Sequence, residues 1–171
     1  MIVFKTIKPS RLKVDAMRLK LLNAMRSCGT EIKQDFEKTT ATWEHKPEFE
    51  VLVSLTGPGP VVLVGTDDKV YRYVSEGTRP HLIFAGYYTG KTNKRALVFK
   101  SGYRAKTTPR VLGSSEGGAF GTTVVRPYVE HPGTEAREFD SLVQELWETK
   151  FKRRMEQAMK EVAQASGHRM R

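Results

Sequence analysis

Phe49-Glu50-Val51-Leu52-Val53-Ser54-Leu55-Thr56-Gly57-Pro58-Gly59-Pro60-Val61-Val62-Leu63-Val64 is the stretch on which the fold turns. Phe49, Val51, Val53 and Leu55 alternate with other residues, and Val61 to Val64 form an apolar run beyond a Gly/Pro turn. Alternation, β-branching and a turn of that composition predict a β-hairpin, the clearest strand signal in the chain.

Upstream, Leu12, Ala16, Leu19, Leu22, Met25, Ile32 and Phe36 recur at steps near three and four. This spacing predicts a first helix with Ser10 as N-cap and Gly29 as the place where it would be interrupted. Downstream, Asp67 or Asp68 caps a short helix with Val70, Tyr73 and Val74 on one face, stopped by Gly77 and Pro80. A short strand with Tyr71 and Tyr73 on one side is the competing reading. Residues 81–85, 96–99 and 122–129 are three further strand candidates, separated by basic, Gly-rich loops that fill 86–121.

After Gly133 the helical period returns through Phe139, Leu142, Val143, Leu146, Trp147, Phe151, Met155, Met159 and Val162. Thr134 is the expected N-cap, with Glu135 and Glu138 near the positive helix end. Such a helix spans about 40 Å. It exposes an apolar stripe, including Trp147 and Phe151, wider than one small sheet covers, with some of it left to face another subunit. Residues 166–171 read as a flexible basic tail. The predicted fold is a single α+β domain over 1–171: an N-terminal helix, an antiparallel sheet with a β-hairpin, a short central helix and a long C-terminal helix.

At 171 residues, 39% hydrophobic and 28% charged, the chain can bury one core but not two ordinary ones. Lys5, Lys8, Arg11 and Lys13 break up the apolar residues of the first fifteen positions, so no signal peptide is expected. No stretch has the length and apolarity of a membrane span. A soluble, cytosolically made protein follows. Cys28 is the one cysteine, which excludes an internal disulfide and a cysteine-based metal cluster. A formal charge of +10 calls for a negative partner: nucleic acid, a membrane surface or an acidic protein face.

Three motifs resemble catalytic ones. Ala85-Gly86-Tyr87-Tyr88-Thr89-Gly90-Lys91-Thr92 fits a relaxed phosphate-loop pattern, in which backbone N–H groups cradle phosphates, Lys91 reaches the outer ones and Thr92 holds magnesium. That chemistry needs a helix directly after Thr92, and only the short run 96–99 precedes Ser101-Gly102. Gly113-Ser114-Ser115-Glu116-Gly117 spells a nucleophile elbow, but Pro109 and the glycines around it predict a loop, not a strand-to-helix turn. His45, His81, His131 and His168 lack the spacing of a zinc site, and His81 and His131 adjoin prolines, where local hydrogen bonding explains them. No catalytic residue, metal or cofactor is expected.

The sharpest charge asymmetry lies from Gly77 to Ser115, which has eight basic residues and no acid. Lys91, Lys94, Arg95, Lys100, Arg104, Lys106 and Arg110 are the candidate interaction residues, interleaved with Tyr87, Tyr88 and Tyr103. A solvated loop surface, a nucleic-acid backbone contact and docking on an acidic neighbouring subunit all fit this run.

Tyr71-Arg72-Tyr73-Val74-Ser75-Glu76-Gly77-Thr78-Arg79-Pro80-His81-Leu82-Ile83, then Leu97-Val98-Phe99, then Val129-Glu130-His131-Pro132-Gly133-Thr134-Glu135-Ala136-Arg137-Glu138-Phe139, resembles the tail-completion and head-tail joining proteins of tailed bacteriophages. The resemblance covers roughly 48–162. It implies an α+β domain with a packed antiparallel sheet and no catalytic residues. It marks Tyr73, Gly77, Thr78, Pro80, His81, His131, Pro132, Gly133, Thr134, Arg137 and Phe139 as structural motif positions. It further implies a virion protein assembled in the host cytoplasm as a ring, taken as hexameric, between neck and tail-tube neighbours. Packaged DNA in the channel is a further partner it allows, and a membrane is not. The loop over 86–121 is longer and more basic than that family requires, which leaves open whether the subunit tops the tail tube or links it to the head; the acid-free run from Gly77 to Ser115 makes a small nucleic-acid-binding protein the alternative.

Overall fold

The computed structural model describes residues 11, 13–55, 59–86 and 96–168. The chain is α+β, in the order α1 (Val14–Thr39), β1 (Glu50–Ser54), β2 (Val61–Gly65), α2 (Lys69–Glu76), β3 (His81–Phe84), β4 (Leu97–Arg104), β5 (Gly118–Arg126), β6 (Tyr128–His131) and α3 (Phe139–Ala165). The strands pair only in twos: β1 with β2, β3 with β6, and β4 with β5. The hairpin and the central helix are where the sequence predicts them, and the expected single sheet is three separate ribbons. None of the described helices is long and apolar enough to cross a membrane.

Internally the expected single domain 1–171 forms two compact units, one made of Met1–Ile32, Val51–Val64 and Leu146–Arg171, the other of Lys33–Glu50 and Gly65–Glu145. In the first unit α1 passes Gly29 without a break. A glycine inside a helix costs about 1 kcal/mol relative to alanine. Here a Cβ would strike Val51 Cγ1 and stand 3.3 Å from Val62 Cγ1, so the missing side chain lets the hairpin approach the helix. Met25 and Cys28 are fully buried. Burial pushes the Cys28 thiol up, against the pull of Arg154 and with a smaller push from Glu31. Two exposed ion pairs, Lys20–Glu161 at 2.7 Å and Arg154–Glu31 at 3.0 Å, link α1 and α3.

Of the apolar stripe, Trp147 is buried and Phe151 half-buried within the chain, whereas Leu146 and Met159 stay exposed. The tail expected from Ser166 is structured at its start. Gly167 has φ 81°, its N–H donates to Gln164 O, and the His168 N–H donates to Ala163 O, the paired bonds of a Schellman cap. Residues 169–171, like Ser10, Leu12 and the hairpin turn 56–58, lie outside the described residues.

The second unit has an aromatic core. Phe36 stacks on Phe49 at 5.4 Å, Tyr71 meets Phe49 edge-on at 5.0 Å, and Tyr71 stacks on Phe139 at 5.6 Å. Burial pushes the Tyr71 phenol up, an effect that the Thr39 side chain opposes and Asp140 reinforces. Asp68 is the N-cap of α2, its Oδ1 accepting the Tyr71 N–H at 2.7 Å. The buried positions of α2 are Tyr71 and Ser75, one turn apart, whereas Val70 and Tyr73 are exposed. This corrects the predicted face, because Phe36, Phe49 and Phe139 give the aromatic ring at 71 a packed slot that the hydrophobicity of Val70 could not outweigh.

Candidate functional site

The two Gly-Thr motifs meet. Thr78 N–H donates to Thr134 O at 2.9 Å and Thr134 N–H donates to Thr78 O at 3.0 Å, an isolated antiparallel bridge. Both glycines are needed at this crossing. Gly77 has φ 77° and a Cβ there would lie 2.6 Å from Thr134 O; Gly133 has φ 90° and a Cβ there would strike Thr78 O. Only glycine combines that backbone with that approach.

Thr134 is therefore not a helix cap. Its amide is spent on Thr78, and the next residues bond to the end of α2: Arg137 N–H donates to Val74 O and Ser75 O, and Glu138 N–H donates to Ser75 O. These bonds satisfy carbonyls that a helix C-terminus leaves unpaired. Helix α3 begins only at Phe139, after Glu138 turns the chain at φ 52°. Its first-turn carboxyl, Asp140, is pushed up by burial and then by the charge of Glu76.

From the bridge a two-stranded ladder runs outward. His81 pairs with His131 and Phe84 with Tyr128, then Ala85 N–H donates to Pro127 O at 3.1 Å. Leu97 pairs with Arg126, and the ladder continues to Arg104 opposite Gly118. Pro127 alone separates β5 from β6, and its missing N–H breaks the hydrogen-bond series. Residues 97–104 and 118–121, read as loop from the sequence beyond Phe99, are thus strand, and the predicted strand 122–129 is divided between β5 and β6 at Pro127. Glycines at 102, 118 and 121 hid the pattern. A second irregularity lies between Lys100 and Gly102, where the register shifts.

The far end of the ribbon returns to the same segment. Arg110 N–H donates to Arg137 O at 3.0 Å, and its guanidinium bonds Glu138 at 3.0 Å and both carboxylate oxygens of Glu145 at 3.0 and 2.8 Å. A straight ladder from Thr78 to Ala85 and on from Leu97 to Arg104 would be roughly 50 Å long, and the residues from Arg104 to Arg110 reach back only about 20 Å. The ribbon therefore turns between its two anchors, with the Pro127 break and the register shift as the points that allow it.

The remaining predicted site residues fall into place around this frame. His81 and His131 rings lie 5.1 Å apart. His81 Nδ1 donates to Arg79 O at 2.8 Å, and His131 Nδ1 accepts the Gly133 N–H at 3.1 Å, so each ring serves its own turn. Pro80 and Pro132 are exposed beside them. Phe139 is fully buried; Arg137 is 8% exposed, with NH1 3.5 Å from Glu135 and Nε unpartnered among the described residues. Among the described residues no group of three or more His, Cys, Asp or Glu is arranged to hold a metal.

The interaction residues divide. Arg110 is committed to Glu138 and Glu145, and Lys106 Nζ donates to Thr42 O at 3.1 Å. Lys100, whose Nζ donates to Thr123 Oγ1 at 3.2 Å within the ribbon, and Arg104 lie exposed, and Lys91, Lys94 and Arg95 lie outside the described residues. The nucleophile-elbow string is a tie: Ser114 Oγ accepts the Thr42 N–H and donates to Lys38 O, while Ser115 O accepts the Thr42 hydroxyl. After the phosphate-loop string the described chain resumes at Ala96 and enters strand β4, which is not the helix that phosphate binding requires. Sequence reasoning missed Tyr71 as the core residue and Thr42 as the tie; the Asp68 cap was a usable signal for the first.

Comparison of the chain with protein-family models, with curated proteins and with solved structures found no significant match in any of the three.

Proposed function

We propose that this chain is a structural subunit of a tailed-phage neck, of the tail-completion or tail-terminator type, that joins head and tail as a ring and acts through its surfaces, not through catalysis. The observation that supports this reading most is the bridge between Thr78 and Thr134. The motif positions that carry the resemblance come from two distant parts of the chain, and they converge there into one mechanical joint that anchors the ribbon, closes α2 and starts α3. Ser115, which holds the serine position of the elbow string, turns its hydroxyl to Lys106 O, and its neighbour Ser114 accepts the Thr42 N–H and donates to Lys38 O. Partners in this reading are further copies of the chain and the adjoining neck and tail-tube proteins.

Mass measurement in solution together with electron microscopy of purified virions tests it. A closed oligomer present at the head-tail junction is expected; a strict monomer absent from virions overturns the reading.

Nucleic-acid contact is the second reading, favoured by the exposed Lys100 and Arg104 on an acid-free run. It loses Lys106 and Arg110 to internal bonds. Duplex affinity measured against salt should then fall less steeply for K100S/R104S than for the wild type, by roughly 0.9 in log–log slope for each phosphate contact removed. Coinciding curves dispose of it.

A further inference from the structure

We infer that the exposed face of the β4–β5 ribbon of one copy docks on the outer face of the β1–β2 hairpin of a second copy of this chain, so that copies join head to tail. The inference rests on the ring-forming reading and assigns its contact surfaces.

The donor face follows from the register. Val98 pairs with Val125, Lys100 with Thr123, and Gly102 with Phe120; paired residues of an antiparallel ladder point to the same side. Val98 is 68% exposed, Val125 61% and Phe120 60%, although the Phe120 ring already covers Gly102. Lys100 and Arg104 alternate with them on the same strand. A two-stranded ribbon is marginal by itself in water, and one that exposes a valine pair and a phenylalanine gains by packing against another apolar surface.

The acceptor face is the complement in both respects. In β1 and the residues leading into it, the period of two sets Glu48, Glu50 and Leu52 on the side opposite the buried Phe49. Leu52 and Leu63 are each 59% exposed. Glu48 and Glu50 carry the negative charge of that side, and Lys46, the basic residue next to them in sequence, turns its ammonium to Thr40 O and Ala41 O. A +10 chain thus carries a pair of glutamates beside an exposed leucine along β1, and an acid-free, basic, apolar face on the ribbon.

Charge decides the pairing. Ribbon on ribbon would set Lys100 and Arg104 against their own kind, whereas ribbon on β1–β2 sets them against Glu48 and Glu50. Facing sheets pack about 10 Å apart, within reach of lysine and arginine side chains from one layer to carboxylates of the other. A contact between two different faces is heterologous, and a heterologous contact whose rotation closes builds a ring.

Sedimentation velocity and native mass spectrometry of the full chain test the assignment, with K100E/R104E, with E48K/E50K and with all four changes combined. Each pair alone is expected to weaken assembly at least about a hundredfold through like-charge contact, and the combined chain to recover to within about tenfold of the wild type. Thermal midpoints are read alongside; if a reversed chain unfolds, Val125→Lys, at an exposed position of the same face, takes its place with the same expected loss. An oligomeric wild type whose reversed variants assemble unchanged overturns the surface assignment and leaves the ring reading standing. Loss in both pairs without recovery in the combined chain overturns the assignment as well. A wild type that is monomeric at every concentration overturns both.

Discussion

Thr78 and Thr134 exchange both of their backbone hydrogen bonds, so residues 56 positions apart in sequence (134 − 78) act as one structural joint. The joint works because Gly77 and Gly133 bring two backbones closer than any side chain allows. Gly133→Ala combines a positive φ with a Cβ driven into a carbonyl, and should cost about 2–3 kcal/mol. Gly59→Ala, where no atom of the described residues lies within 4 Å, should be neutral within about 0.5 kcal/mol or slightly stabilising. Urea unfolding of the two variants checks the contrast; equal midpoints would remove the joint from the account.

Asp68 links the cap of α2 to His45. Partial burial works against its charge, but the hydrogen bond from His45 Nε2, the Tyr71 and Val70 N–H groups and the His45 charge outweigh it and hold the carboxyl below its usual value. A carboxyl depressed in the folded state adds stability that is fully present above the unfolded value of about 4 and is lost as pH falls through the folded one. Asp68→Ala should cost about 1 kcal/mol at neutral pH, and Asp68→Asn, which still caps the helix, should cost less. Both should flatten the decline in stability below about pH 4. Chemical denaturation repeated from about pH 7 to about pH 3 reads this, and an acid limb as steep as that of the wild type would count against the linkage.

Arg137 is buried, yet its charge has little to hold it. Among the described residues its guanidinium reaches the exposed Glu135 at 3.5 Å, and Nε has no partner there. Replacing a buried charge of this kind with an apolar side chain of similar length often leaves stability unchanged. Arg137→Met should stay within about 1 kcal/mol of the wild type, whereas Arg137→Ala, which also removes the packed stem, should cost about 2 kcal/mol or more. Thermal or urea unfolding of the two variants separates the cases: if Met is as damaging as Ala, the guanidinium and not the stem is what the fold needs.

The elements that could be read in the sequence are those governed by local rules. The alternation around Val51 and Val53, the Asp68 cap and the Gly77 stop each act within a few residues, and the hairpin and α2 stand where they predict. What was hidden depends on distant partners. Thr134 has the side chain of an N-cap, but a backbone partner at Thr78 takes its amide, and α3 starts later. The ribbon strands resemble loops because glycines at 102, 118 and 121 interrupt them, while the pairing that makes them strands is a relation across the chain. The basic residues could be counted, but that Arg110 and Lys106 are tied internally depends on Glu138, Glu145 and Thr42, which only the folded chain brings near.

Gly29 offers a test in which two physical effects oppose each other. Alanine in the middle of a helix is favoured over glycine by about 1 kcal/mol, so propensity alone predicts that Gly29→Ala stabilises α1. The new Cβ would meet Val51 Cγ1 and crowd Val62 Cγ1, and a β-branched side chain held in a strand has little freedom to move away. Overpacking of this kind costs about 1–3 kcal/mol, so the net effect of Gly29→Ala should be destabilising. Val51→Ala removes the obstructing methyls, and in that background the alanine at 29 should become neutral or stabilising. The four-member cycle should therefore show a favourable coupling of at least about 1 kcal/mol. Additive changes would mean that the hairpin can shift away from α1 at little cost, and that glycine at this position does not set their separation.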